Sequence, residues 1–321
     1  MSIPVEISFQ KLLDALLDTE KLLHPSFLHR LSDLDQADLV ALKKIWLRIP
    51  VWRRQALMEE IEELGGSDFL LSYNAVCKFA IQDDDPRVRE LAVRILWDCE
   101  ANDLVPVYLN MLESDSDSRV RAVVASALGK YVYLGEIEKL PTRILHQIED
   151  KLITVVNSSD KTLVRRRALE ALGYSRRDEI SPLVEAAYYS GDDEWLVSAL
   201  FAMGRSANEG WGPLVIVMLE NDSPEIRCEA ARTAGELEIS NAVPRLVELL
   251  DDYDDEVRSS AIWSLSQTGG EGVKDVLELM WDETEDVEEV ESIESALDNL
   301  AFTQGLQTFS RLDFPDDKES D

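Results

Sequence analysis

Apolar and polar positions along this chain follow a helical period, and one apolar stripe returns again and again. It is plainest in Val164-Arg165-Arg166-Arg167-Ala168-Leu169-Glu170-Ala171-Leu172-Gly173. Val164, Ala168 and Leu172 fall at the spacing that lines one face of an α-helix. Val120-Arg121 leads in the same way to Ala127-Leu128-Gly129, and Trp195-Leu196 to Ala202-Met203-Gly204. Ile226-Arg227 leads to Ala234-Gly235, and Val257-Arg258 to Ser264-Leu265-Ser266. Gly173, Gly204, Gly235 and Ser266 stand 31 residues apart. A fixed period of roughly 20–50 residues marks a solenoid. The expected fold is all-α: a right-handed α-solenoid of helix pairs, each burying its apolar face by stacking on the next.

Each position in the unit has a physical reason. Residues at offsets 0, +4 and +8 form the buried stripe, and a small residue at +7 lets a neighbouring helix approach. The glycine after the last turn is expected to be a left-handed C-cap. The Asp-rich turn before each helix should cap its N-terminus and complement its dipole. Partner helices are predicted over 104–112, 180–189, 213–219, 242–250 and 273–280.

Ahead of the repeats, Phe9, Leu12, Leu13, Leu16 and Leu17 predict a short amphipathic helix. Asp35 should cap a helix over 37–48, and a helix over 51–64 should stop at Gly65-Gly66. A further helix is predicted over 72–82. The expected organisation is an N-terminal helical cap over 1–66, a repeat array over 67–301 and an acidic tail over 302–321. One repeat is longer. Gly129 to Gly173 spans 44 residues, so an insertion is expected near 130–158, centred on 131–140. It reads as an edge loop, either a binding edge or a neutral surface insertion.

Charge narrows the partners. The formal net charge is −32, and a hydrophobic share of 45% supports a sizeable core. Residues 251–321 hold 22 acidic and 4 basic residues, more than half of the net charge. Such a balance argues against nucleic acid and against an anionic membrane surface. No apolar stretch approaches the roughly 20 residues that span a bilayer, and no signal peptide is visible. The three cysteines, Cys77, Cys99 and Cys228, form no CxxC pair. A reduced cytoplasmic setting is expected.

At Asp-x-x-Val-Arg-x-x-Ala-Leu-x-Ala-Leu-Gly the chain resembles the HEAT-repeat family, in particular its short phycobilisome-lyase-type repeats. The resemblance covers about 83–266, and the N-terminal half resembles uncharacterised bacterial HEAT proteins. It implies that the Val-Arg helix lines the concave side. It also implies an Asp–Arg ladder between units, using Arg89, Arg121, Arg165, Arg227 and Arg258 with turn acids such as Asp83, Asp115 and Asp252. Leu196 interrupts that ladder. For function it implies a scaffold or adaptor, with a phycobilisome-lyase-like or chaperone-like accessory subunit as the alternative.

Catalytic chemistry finds little footing. The three histidines, His24, His29 and His146, lie beside no glutamate and form no i,i+3 or i,i+4 pair. No His-Glu dipeptide, GxGxxG, Walker loop or GxSxG occurs. The run Asp251-Asp252-Tyr253-Asp254-Asp255-Glu256 lacks the EF-hand pattern and reads as capping acids. The expectation is a non-enzyme with no cofactor and no metal.

The candidate site lies instead at offset +6 of the Val-Arg helices: Arg94, Ser126, Glu170, Phe201, Arg232 and Trp263. Arg166, Arg167 and Arg205 stand beside them. Lys161 to Arg177 holds six basic residues and one acid. Arginine beside Phe and Trp is the composition of interface hot spots. Two readings are open. Arg94, Arg166, Arg167, Phe201, Arg205, Arg232 and Trp263 could form a groove for another protein, through an acidic or extended peptide segment. Alternatively, the aromatics pack between repeats while the arginines pair with turn acids. The acidic tail could also fold back over the basic strip.

Overall fold

The structure is a computed structural model that describes residues 8–68 and 70–310, with side chains to Thr303. Among the described residues it is all helix, with no strand. The chain divides into two compact units, 1–172 and 173–321. Each is a stack of HEAT-like helix pairs, so the all-α solenoid expected from the repeat is found. The acidic tail expected over 302–321 is helical to Ser310, and its remainder lies outside the described residues.

The first unit contains α1 (Phe9–Leu17), α2 (Gln36–Ile45), α3 (Val51–Ser67), α4 (Asn74–Ala80), α5 (Pro86–Ile95), α6 (Leu104–Ser114), α7 (Ser118–Glu136), α8 (Thr142–Val156) and α9 (Thr162–Leu172). The second contains α10 (Ile180–Tyr188), α11 (Asp193–Arg205), α12 (Gly212–Met218), α13 (Pro224–Glu236), α14 (Val243–Glu248), α15 (Asp255–Thr268), α16 (Val273–Glu283) and α17 (Val287–Ser310). The predicted stripe is the core. Val88, Val120, Val164, Ile226 and Val257 are fully buried, together with the residues four and eight positions on. Asp85, Asp117, Asp192 and Asp254 cap their helices through side-chain bonds to backbone N–H groups.

The glycines depart from expectation. Gly129, Gly204 and Gly235 lie inside helices, and none has a positive φ. Their role is close approach. A Cβ on Gly129 would sit 3.1 Å from the Cα of Ala171, and one on Gly173 would sit 2.8 Å from the Cα of Ala202. On Gly235 it would meet the Cα of Ser264 at 2.8 Å. The left-handed cap comes later. Glu138 and Glu238 take φ 62 and 48. Behind them Lys139 N–H donates to Leu134 O at 2.8 Å, and Ile239 N–H donates to Ala234 O at 2.9 Å. These are Schellman bonds with a glutamate where glycine is usual. Gly65-Gly66 does not stop α3 either, which runs on to Ser67.

The extra residues near 130–158 are not an edge loop. They lengthen α7 by about two turns, and Tyr131, Val132 and Leu134 are buried. Tyr131 Oη donates to the carbonyl of Ala101 at 3.0 Å. The insertion is core.

The Asp–Arg ladder is present, and its geometry repeats. In the first unit Arg89 grips Asp115 through two bonds of 2.8 Å. Arg121 grips Asp160 at 2.8 and 2.5 Å. In the second, Arg227 grips Asp252 at 2.7 and 2.8 Å, and Arg258 reaches Glu289 at 2.8 Å. Each arginine also donates to the carbonyl six residues before it: Asp83, Asp115, Asn221 and Asp252 respectively. The acids do double duty, since Asp83, Asp115 and Asp252 each accept the N–H two residues on. Arg165 Nε donates to Val156 O at 2.8 Å. At the N-terminal end Asp83 is buried beneath Arg54 and the Trp46 indole, accepting from Arg54 Nη2 at 3.0 Å and from Trp46 Nε1 at 2.5 Å.

Candidate functional site

In the second unit, a step of 31 residues carries one helix position onto the next repeat. Phe201, Arg232 and Trp263 occupy one row on α11, α13 and α15, and Arg205 and Glu236 occupy the row beside it. The rows form a connected patch. The Arg205 guanidinium lies 4.9 Å from the Phe201 ring centroid and 5.8 Å from that of Tyr174. It also pairs with Glu236 at 3.0 Å. Arg232 pairs with Glu256 at 3.4 Å.

The glycines make this arrangement possible. The Glu236 carboxylate lies over Gly204, in the space that a Cβ would take, and the Trp263 indole lies over Gly235 at 2.8 Å from such a Cβ position. Burial pushes the Glu236 carboxyl up, and the charges of Arg205 and Arg232 oppose that in part. Phe201 is half-buried. Trp263 remains 41% exposed. Both aromatics therefore reach the surface, Trp263 while resting on the neighbouring repeat and Phe201 beneath the Arg205 guanidinium of its own helix. The arginines are met by carboxylates, so the patch carries no surplus positive charge.

In the first unit the predicted residues scatter. Arg94 is exposed and pairs with Glu62 at 2.8 Å. Ser126 is exposed. Arg166 and Glu170 are buried, so neither offers itself to a partner. Arg167 is half-buried and bonds Glu170 at 2.5 Å. Arg94 does border a pocket of about 240 Å³ shared with Tyr73, Trp97 and Asp98.

Sequence reading missed Tyr174 and Glu236. Both could have been found by the same 31-residue step: Tyr174 projects onto Arg205, and Arg205 onto Glu236. Cys228 is buried, and its Sγ lies 3.1 Å from Ser260 Oγ. Burial pushes its thiol up, away from the thiolate a nucleophile needs. Among the described residues, no three of His, Cys, Asp and Glu gather to hold a metal ion. Among them, too, no helix is long and apolar enough to cross a membrane.

Comparison with known proteins bears on the fold. The family model of HEAT repeats matches residues 73–147 and 212–298, about half of the chain. No curated protein matches. Among solved structures, the Escherichia coli protein YibA is similar at 18% identity, covering 88% of this chain and 98% of its own, with a TM-score of 0.46. The CpcE–CpcF complex of phycocyanin lyase from Nostoc sp. is similar at 18% identity, covering 71% and 94%, with a TM-score of 0.47. A designed armadillo repeat protein in complex with the peptide (KR)4 is similar at 18% identity, covering 61% and 99%, with a TM-score of 0.38.

Proposed function

Because the chain belongs to the HEAT-repeat family, we propose that it is a non-catalytic protein-interaction scaffold. It holds an extended segment of a partner protein against the face carried by its Val-Arg helices. One observation carries the reading: Phe201, Arg205 and Trp263 form an aromatic and guanidinium surface that stays partly open to solvent on a rigid helical frame. Aromatic and arginine side chains on a rigid support supply hot-spot contacts at low ordering cost. A strictly acidic segment gains no support from the geometry, since Arg205 and Arg232 already meet Glu236 and Glu256. A segment with apolar side chains and mixed charge fits better. The accessory-subunit alternative gains no specific observation.

The test compares proteins captured from the native host by the intact chain and by the triple variant Phe201→Ala/Arg232→Glu/Trp263→Ala. A partner should be lost with the triple variant while the circular-dichroism spectrum is kept. An unchanged set of captured proteins would remove this face from the reading.

A further inference from the structure

In the second unit, the start of α10 and the end of α11 enclose a pocket of about 250 Å³. Buried Ile180, Val184 and Ala202 give it an apolar lining. It falls below the roughly 300–1,000 Å³ of drug-sized sites and suits a ligand of about amino-acid size.

Hydrogen-bond donors are left over around it. Trp211 lines the pocket and is 7% exposed. Its indole N–H meets no acceptor among the described residues, yet it is not sealed from solvent. Native interiors seldom leave such a donor without a partner. Ser181 is the second residue of α10, and its N–H points out of the first turn as such groups do. Neither that N–H nor the Ser181 hydroxyl has a partner among the described residues. Asn208 gives its Oδ1 to the Gly210 N–H at 3.0 Å, which leaves its Nδ2 to donate. The neighbouring hydroxyl oxygens are already engaged. Ser206 Oγ accepts from the Asn208 N–H at 3.3 Å and donates to Met203 O at 2.6 Å. Ser175 Oγ accepts from the Arg177 N–H at 3.2 Å.

Charge limits what these donors can hold. Arg177 already holds Glu179 at 2.9 Å. Arg176 and Asp178, also at the pocket, oppose one another in sign. The N-terminus of α10 adds about half a positive charge. The sum suits one negative charge and disfavours two. A chain of net charge −32 repels anions at range, so an anion that settles here is held by these local donors.

We propose that this pocket binds a carboxylate carried on a small apolar group. The Trp211 N–H, the Ser181 N–H and Asn208 Nδ2 donate to its two oxygens, and Ile180 and Val184 cover the apolar part. The chemistry is shared by the terminal carboxylate of a peptide and by a free branched-chain acid. The inference goes beyond the scaffold reading and does not depend on it.

The probe is N-acetyl-L-leucine, titrated into the isotope-labelled full chain and followed by NMR. N-acetyl-L-leucine amide, alike in shape and uncharged, is the control. The expected result is a saturable downfield shift of the Trp211 indole proton, with shifts of amides in 175–184 and 206–212, absent with the amide. Trp211→Phe keeps a buried ring and removes only the unpaired donor. It should weaken binding by about tenfold or more and leave the melting temperature unchanged. Asn208→Asp keeps the bond to Gly210 and replaces the donor with an oxygen, so it should weaken binding too. Asp178→Asn, at an exposed position, should tighten binding severalfold. 4-Methylpentanoate separates the sources: binding as tight as N-acetyl-L-leucine assigns a free acid, and weaker binding assigns a peptide end. An equal response to the amide, an equal response to inorganic phosphate, no saturable shift, or Trp211→Phe binding like the wild type would each overturn the proposal.

Discussion

Leu196 occupies the place where other Val-Arg helices carry the ladder arginine, and the residue 25 positions on is Asn221. Arg227 and Asp252 are separated by the same 25 residues. Where the cation is missing, then, its acid is missing too. A buried carboxylate without its guanidinium would be strongly destabilising, and replacing both members of a pair by neutral groups avoids that cost. Asn221 keeps the other duty of the acid, accepting the Ser223 N–H at 2.9 Å. The charges can be restored one at a time or together. Leu196→Arg alone gives up a half-buried apolar side chain and adds an unpaired guanidinium. Asn221→Asp alone adds a carboxylate whose neighbouring guanidinium, Arg227, is already held by Asp252. Each should destabilise the second unit by about 1–2 kcal/mol. The Arg227–Asp252 pair has side chains 8% and 7% exposed, with two bonds under 3 Å. A pair of that kind at 196 and 221 should give a favourable coupling of about 1–3 kcal/mol in a double-mutant cycle. The assay is urea unfolding followed by far-UV circular dichroism, with midpoints compared at constant slope. Additivity within about 0.5 kcal/mol would refute the claim that the two neutral residues are one coupled feature.

Gly235→Ala gains about 1 kcal/mol of helix propensity, but its Cβ would stand 2.8 Å from the Ser264 Cα and the Trp263 ring. Overpacking costs about 1–3 kcal/mol, so urea unfolding should show a net loss; Gly66→Ala, with nothing within 4 Å, should show a net gain. Glu238→Gly should stabilise the chain by about 1 kcal/mol, because Glu238 holds φ 48; an unchanged melting temperature would count against the late-cap reading. Asp83→Ala strips the buried Arg54 and Trp46 of their partner and should cost about 3–5 kcal/mol, read as a fall in the urea midpoint. Burial raises the Asp252 carboxyl, but its bonds to Arg227 outweigh this and hold it below the ordinary range. A depressed carboxylate contributes stability that is full above its unfolded pKa, about 3.9, and is lost as pH falls through the folded value. An acid titration of unfolding midpoints should therefore drop below about pH 4, and Asp252→Asn should flatten that drop.

What could be read from the residues was whatever obeys a period. Burial of Val164, Ala168 and Leu172 follows from spacing alone, because a stripe four residues apart has one face to hide. The glycines were harder for a physical reason. A missing Cβ permits both a left-handed turn and a close helix approach, and only the neighbour across the interface decides between them. For Gly235 that neighbour is Ser264, 29 residues on. Reading Gly129 as a stop then hid the rest of α7, although Leu128, Tyr131, Val132 and Gly135 continue its helical spacing without a break. The charges around the site were hard to read for a similar reason. Counting arginines in a chain of net charge −32 suggested a basic groove, but charge on a helix face has meaning only after its cross-repeat partner is known. Stepping Arg205 forward by the repeat length lands on Glu236, the carboxylate that neutralises it. The period that predicts burial thus also predicts ion pairing, provided it is applied to polar rows as well as apolar ones. On that basis the open aromatics on the Phe201–Trp263 row, rather than its charges, are the feature that ion pairing inside the array does not account for.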